Sequence, residues 1–161
     1  MGLGVVVTVL FFATQIYAGT ILEESRKSNI NDQCLLQLEM ISDYLKPDGA
    51  NLTVVNPKNP ENSASHHFSL KKGVNGSNAI TINLIPTENK CNWSYSKVVS
   101  EDDKSCDEIQ RSLEKIAPNL KVALDQQDYK ILLNPDTGAY IFLTERGKNS
   151  CTALETASAY P

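Results

Sequence analysis

The chain is poor in the residues that metal and nucleophile chemistry use. It holds two histidines, one tryptophan and four cysteines in 161 residues. Two adjacent histidines and four widely spaced cysteines leave little for a metal centre of several ligands. No Gly-x-Ser-x-Gly elbow occurs, no phosphate-cradling P-loop and no His-Glu-x-x-His pair. The signatures of serine hydrolases, P-loop nucleotide enzymes and zinc proteases are therefore missing. Positive charge is scarce too. Against 19 Asp and Glu stand 15 Lys and Arg, a net charge of −4, whereas a nucleic-acid binder ordinarily carries a basic face. Long apolar runs are confined to the N-terminus, which excludes a multi-pass membrane protein. What remains is 41% hydrophobic and 21% charged, the balance of one folded domain. Neither a cofactor nor a nucleic-acid partner is expected.

Residues 1–18 contain no charged side chain, and Val5 to Phe12 is apolar except for Thr8. A small residue, Ala18, then precedes Gly19. This reads as a cleavable export signal over 1–18, followed by a single domain over 19–161. A secreted or periplasmic protein beginning at Gly19 is the expectation. The n-region has no Lys or Arg, and Ile16 stands where a small residue is usual. The rival reading keeps the apolar stretch as a helix and a membrane anchor. That layout resembles the plan of type IV pilins: apolar helix, amphipathic continuation, sheet and C-terminal disulfide.

Cys34, Cys91, Cys106 and Cys151 form an even set behind an export signal, so two disulfides are expected. Three connectivities are open. Proximity along the chain favours Cys91–Cys106, which leaves Cys34–Cys151. The sequons at Asn51, Asn75 and Asn92 are about as many as the composition yields by chance.

Periodicity predicts a polar lead-in over 19–29, then a helix over 31–45 capped by Asn31, with Cys34, Leu38, Ile41 and Leu45 as its apolar stripe. Strands follow at 52–56, 68–72, 79–85 and 92–99. The middle two flank the turn signal Asn75-Gly76-Ser77. Ser105 and Glu108 form a capping box that opens a second helix, ended by Pro118. Short strands at 120–124, 129–133 and 139–144 close the chain. The expected fold is α+β: two helices on a mainly antiparallel sheet of six to seven short strands, in the order α-β-β-β-β-α-β-β-β. It reads as two successive helix-then-strands units.

Candidate chemistry is thin. Asp136-Thr137-Gly138-Ala139 resembles the active-site loop of retroviral-type aspartic proteases, which needs two such Asp residues. Only one is present, and Pro135 with Gly138 fits a hairpin turn. His66 and His67 point to opposite sides of an extended segment, and an exposed loop-to-strand junction is the expectation there. No catalytic and no metal-binding residue is assigned. Trp93 and Tyr95 share a strand face, where rigid aromatics serve as core or as interface anchors. Glu101, Asp102 and Asp103 form an acidic run suited to a basic partner. With Cys91–Cys106 closed, these five residues would sit on one stapled loop as a partner-binding surface. The leading functional expectation is a small exported, non-catalytic binding protein for a protein partner: an inhibitor, immunity-type protein or accessory subunit. The alternatives are an exported hydrolase using dispersed carboxylates such as Asp125, Asp128 and Asp136, and a pilin-like filament subunit.

Overall fold

Local signals start each helix. The computed structural model describes residues 20–160; the apolar stretch read as signal or anchor lies outside them. Helix α1 (Ile21–Lys27) opens on a capping box, Thr20 receiving the Glu23 amide while the Glu23 carboxylate receives the Thr20 amide. Helix α2 (Asp32–Leu45) is capped by the Asn31 side chain, as expected, and ends on Lys46 in the left-handed region. Helix α3 (Cys106–Ile116) carries the expected Ser105–Glu108 box, which satisfies amide groups that would otherwise lack partners.

Eight strands form one antiparallel sheet: β1 (Ala50–Val54), β2 (Ser65–Lys72), β3 (Gly76–Pro86), β4 (Cys91–Glu101), β5 (Lys121–Asp125), β6 (Tyr129–Asn134), β7 (Ala139–Gly147) and β8 (Ser150–Ala159). Their order across the sheet is β1-β2-β3-β4-β8-β7-β6-β5. The α+β class and the antiparallel sheet match expectation; the element count does not. There are three helices and eight strands among the described residues, because the supposed lead-in forms α1 and the C-terminal segment forms β8. That last strand is not peripheral. It pairs with β4 on one side and β7 on the other, joining the two units at the centre of the sheet.

The two units are related by a local two-fold axis. Each is a helix followed by a four-stranded meander, and the fourth strands pair antiparallel with Ser96 opposite Thr156. Each unit has its own disulfide between its helix and its fourth strand: Cys34–Cys91 and Cys106–Cys151, both with Cα atoms 5.1 Å apart. This corrects the expected pairing. Cys91 begins β4 and Cys106 follows its end, so an extended strand of about 30 Å separates them, far beyond disulfide reach.

Both helices α2 and α3 lie on one face of the sheet. Beneath α2 is a core of Leu38, Ile41, Leu45, Ile80, Ile82, Leu84 and Tyr95. Beneath α3 is a smaller one of Leu132, Ile141, Leu143 and Ala153. The opposite face carries a central ladder of hydroxyls, Thr81, Ser96 and Thr156 in register. This is the alternation of a sheet covered on one side.

Two glycines answer specific needs. Gly138, φ 70°, sits in the β6–β7 turn, where a hairpin bulge demands the left-handed region. Gly76, φ 152°, lies where a Cβ would come within 1.8 Å of the Ser100 carbonyl oxygen. It permits close approach of β3 to β4 rather than forming the turn itself.

Candidate partner-binding groove

Placement of Trp93 and Tyr95 follows from the β4 alternation. Odd-numbered residues Trp93, Tyr95, Lys97 and Val99 face the helices, and their β8 neighbours across the ladder are Ala159, Ala157, Glu155 and Ala153. Trp93, Tyr95 and Val99 thus face alanines on the other central strand, with Lys97 opposite Glu155 between them, which leaves a trough along the midline. Tyr95 is buried and Trp93 half-buried; their rings stack with centroids 6.1 Å apart and planes 9° from parallel. Tyr44 of α2 meets Tyr95 at 6.0 Å with a 50° tilt.

A carboxylate organises the cluster. The hydroxyls of Tyr44 and Tyr95 both donate to Glu155 Oε1, each at 2.7 Å. Burial, followed by the adjacent Glu155 carboxylate, pushes the Tyr44 phenol up to about 12 and the Tyr95 phenol higher in the same direction. Both phenols are therefore protonated donors at any physiological pH. Lys97 stands opposite Glu155 in register, yet among the described residues the two form no ion pair.

Two pockets open along this trough, each of about 180 Å³. One lies against α2 and is lined by Gln37, Met40, Ile41, Tyr44, Trp93, Tyr95, Thr137 and Ala157. The other lies against α3, where Ile109, Leu113, Ile116, Lys97, Glu155 and Ala153 are among its walls. The pockets are equivalent under the local two-fold. The shift that carries Cys34 onto Cys106 carries Gln37, Met40, Ile41 and Tyr44 onto Ile109, Ser112, Leu113 and Ile116. The shift that carries Cys91 onto Cys151 carries Trp93, Tyr95 and Lys97 onto Ala153, Glu155 and Ala157. One duplicated geometry thus presents an aromatic pocket beside α2 and an aliphatic, charged one beside α3.

Beside the α2 pocket runs an exposed apolar ridge. Leu36, Met40 and Tyr44 are 56%, 59% and 52% exposed, one helical turn apart on one side of α2. At the far end of the trough Ile116 is 83% exposed. Sequence reasoning found Trp93 and Tyr95 but missed Met40, Tyr44 and Glu155. The signal was available: α2 has apolar residues at Leu36, Met40 and Tyr44 as well as on its buried stripe, more than one packed face requires.

Of the acidic run, Glu101 lines the α3 pocket of the trough, while none of its three residues lines the aromatic α2 pocket. With no disulfide between Cys91 and Cys106, no stapled loop joins Trp93 to Glu101–Asp103. Trp93 and Glu101 lie near opposite ends of β4, about 25 Å apart. Glu101 pairs with Lys104 at 3.4 Å, Asp102 with Arg146 at 2.8 Å, and Asp103 accepts from Asn75 Nδ2 at 3.0 Å. Their charge is spent on clasping the β2–β3 turn and β7 to the start of α3.

Asp136 is separate from Asp125 and Asp128, which line one open polar pocket of about 430 Å³ with Asp107 and Glu145. Asp136 lies in the β6–β7 turn, where its amide donates to Asn134 Oδ1 and its carboxylate accepts from Asn119. Asp125 and Asp128 lie at the opposite end of β6, next to Lys130, whose ammonium is held by Asp107 at 2.7 Å. His66 is exposed and His67 fully buried, so they do point apart, but His67 is no loop residue. Its Nδ1 lies 3.2 Å from Ser25 Oγ and 3.1 Å from Thr53 Oγ1, and its Nε2 lies 3.0 Å from Ser65 Oγ. The Ser25 hydroxyl donates to the Ile21 carbonyl at 2.7 Å, so toward His67 it accepts. That assigns the ring proton to Nδ1. Among the described residues, no group of three His, Cys, Asp or Glu is placed to hold a metal.

No family model matches the chain, and no curated protein or solved structure is significantly similar to it.

Proposed function

We propose that the protein is a small exported binding protein that docks a protein partner, without catalysis, through the trough between α2 and α3. The observation that carries this reading is the apolar ridge of Leu36, Met40 and Tyr44 standing beside the half-buried Trp93. Leaving three large apolar side chains half in water forgoes burial worth about 1 kcal/mol each. Contiguous exposed apolar surface of this kind marks interaction sites, and aromatic anchors set in pockets are where interface energy concentrates.

The apolar segment over 1–18 and the cysteines are what support export in this reading. Two disulfides and no free thiol among the described residues are in keeping with an oxidising compartment. No described helix is long and apolar enough to cross a membrane.

A photo-cross-linking residue placed at position 40 tests the docking surface in the fluid or culture that contains the protein. One protein partner should cross-link there and compete with unlabelled wild type. A Met40→Asp, Tyr44→Asp double variant should fail to compete while its circular dichroism is unchanged. Equal competition by that variant would reject the trough as the docking surface.

A further inference from the structure

We propose that the α2 pocket receives a basic side chain, arginine or lysine, from the protein partner. This rests on the reading of the trough as a docking surface and adds the chemistry of its occupant. Three aromatic rings, Tyr44, Trp93 and Tyr95, line the pocket. Each ring presents a negative π face, and cations bind such faces. The Glu155 carboxylate lies behind two of these rings and accepts both phenolic protons. A phenol that donates to a carboxylate pushes electron density into its ring, which strengthens the face it offers to a cation. None of the lining residues of this pocket is a Lys or Arg, so the chain does not fill the site with its own charge. Lys97 belongs to the neighbouring α3 pocket.

Size agrees with the assignment. About 180 Å³ holds roughly six water molecules and falls short of the 300–1,000 Å³ of small-molecule sites. One long side chain fits, its methylenes against Met40 and Ile41 and its charged end against the rings. The equivalent α3 pocket has Ala153, Glu155 and Ile116 where the α2 pocket has Trp93, Tyr95 and Tyr44. It lacks the rings, and its lining sets two lysines, Lys97 and Lys104, beside two carboxylates, Glu101 and Glu155, so it offers no aromatic face to a cation. The net charge of −4 favours approach of a basic partner over long range.

Trp93 is the single tryptophan, so indole fluorescence and the indole N–H resonance report on this pocket alone. The probes are N-acetyl-arginine amide, its neutral isostere N-acetyl-citrulline amide, and N-acetyl-leucine amide. The arginine probe should shift the Trp93 signals saturably at millimolar concentration, while citrulline shifts them far less. Glu155→Gln and Tyr44→Leu should each weaken the arginine response about three- to tenfold. Equal responses to all three probes, or an arginine response unchanged in Glu155→Gln, would overturn the cation assignment while leaving the trough as an apolar docking surface. Silence with every probe would also overturn it. The cross-linking experiment at position 40 judges the docking surface separately.

Discussion

Between about pH 7.5 and pH 5, acid should destabilise this protein mainly through His67. The ring is fully buried beneath α1, β1 and β2, and burial, with a smaller push from the charge of His66, lowers its pKa to about 4. In the unfolded chain the same ring titrates near 6.5. Between those values the unfolded state binds a proton that the native state refuses. Stability is therefore complete above about pH 6.5 and is lost as pH falls toward about 4. A gap of about 2.5 pH units corresponds to about 3 kcal/mol in total, of which about 2 kcal/mol is lost between pH 7.5 and pH 5. The ionisable neighbour on α1, Glu24, works in the opposite direction. Burial raises its pKa, so it favours the native state as pH falls and tempers the net effect. A variant isolates the histidine: the local two-fold places Leu132 where the first unit has His67, and His67→Leu copies that solution. The variant should be less stable at pH 7.5 by about 1–3 kcal/mol, because the Ser65 and Thr53 hydroxyls lose a buried partner. Its loss of stability on going to pH 5 should be smaller than that of the wild type by about 2 kcal/mol. Urea unfolding at the two pH values measures this. The same pH dependence in both proteins would refute the argument.

Non-reducing peptide mapping should return Cys34–Cys91 and Cys106–Cys151. Replacing either pair with alanines should cost about 4 kcal/mol, the chain-entropy value for separations of 57 and 45 residues. Gly138→Ala should cost about 1 kcal/mol, since only the left-handed backbone opposes it and nothing lies within 4 Å of the new methyl. Gly76→Ala should cost more in the same denaturation assay, because the methyl meets the Ser100 carbonyl. Asp136→Asn should leave the melting temperature within a few degrees of wild type, its carboxylate being exposed on a turn; a large loss would show a role beyond the hairpin.

The parts of the fold legible in the sequence are those that local chemistry dictates. Asn31 before a stripe of Cys34, Leu38, Ile41 and Leu45, and Ser105 three residues before Glu108, fix two helix starts. The alternation of Ile80, Ile82 and Leu84 fixes a strand. Helix α1 obeys the same capping rule through Thr20 and Glu23, but a polar segment of seven helical residues is marginal in isolation and is held by packing Ile21 into the α2 core. Strand β8 was hidden for another reason. Its sequence, Ser-Cys-Thr-Ala-Leu-Glu-Thr-Ala-Ser-Ala, has few of the branched and aromatic residues that favour strands, and only its place between β4 and β7 makes it one. Without β8 neither the two-fold nor the disulfide pairing is visible. The Tyr44–Glu155 contact spans 111 residues and is invisible for the same reason.

The duplication also supplies an internal control for the candidate site, because the second unit shows which residues the fold requires. At equivalent positions both units keep the disulfide, and both keep apolar residues at Ile41 and Leu113, Ile82 and Ile141, Leu84 and Leu143. They differ in the pocket. Trp93, Tyr95 and Tyr44 have Ala153, Glu155 and Ile116 as counterparts, so a meander of this kind folds under its helix without an aromatic cluster. Trp93 and Tyr44 are then surplus to folding, whereas Tyr95 is buried in the α2 core; loss of Trp93 should be cheap where loss of a shared core residue is not. Ile82→Ala, at a side chain with no exposure, should cost about 2–5 kcal/mol. Trp93→Ala, which recreates the alanine of the second unit at a half-buried site, should cost clearly less despite deleting a larger side chain, while removing the arginine-probe response followed through the Tyr44 ring resonances. Chemical denaturation of the two variants side by side decides it. A greater loss for Trp93→Ala than for Ile82→Ala would make the aromatic cluster a structural element and remove the ground for reading it as a binding site.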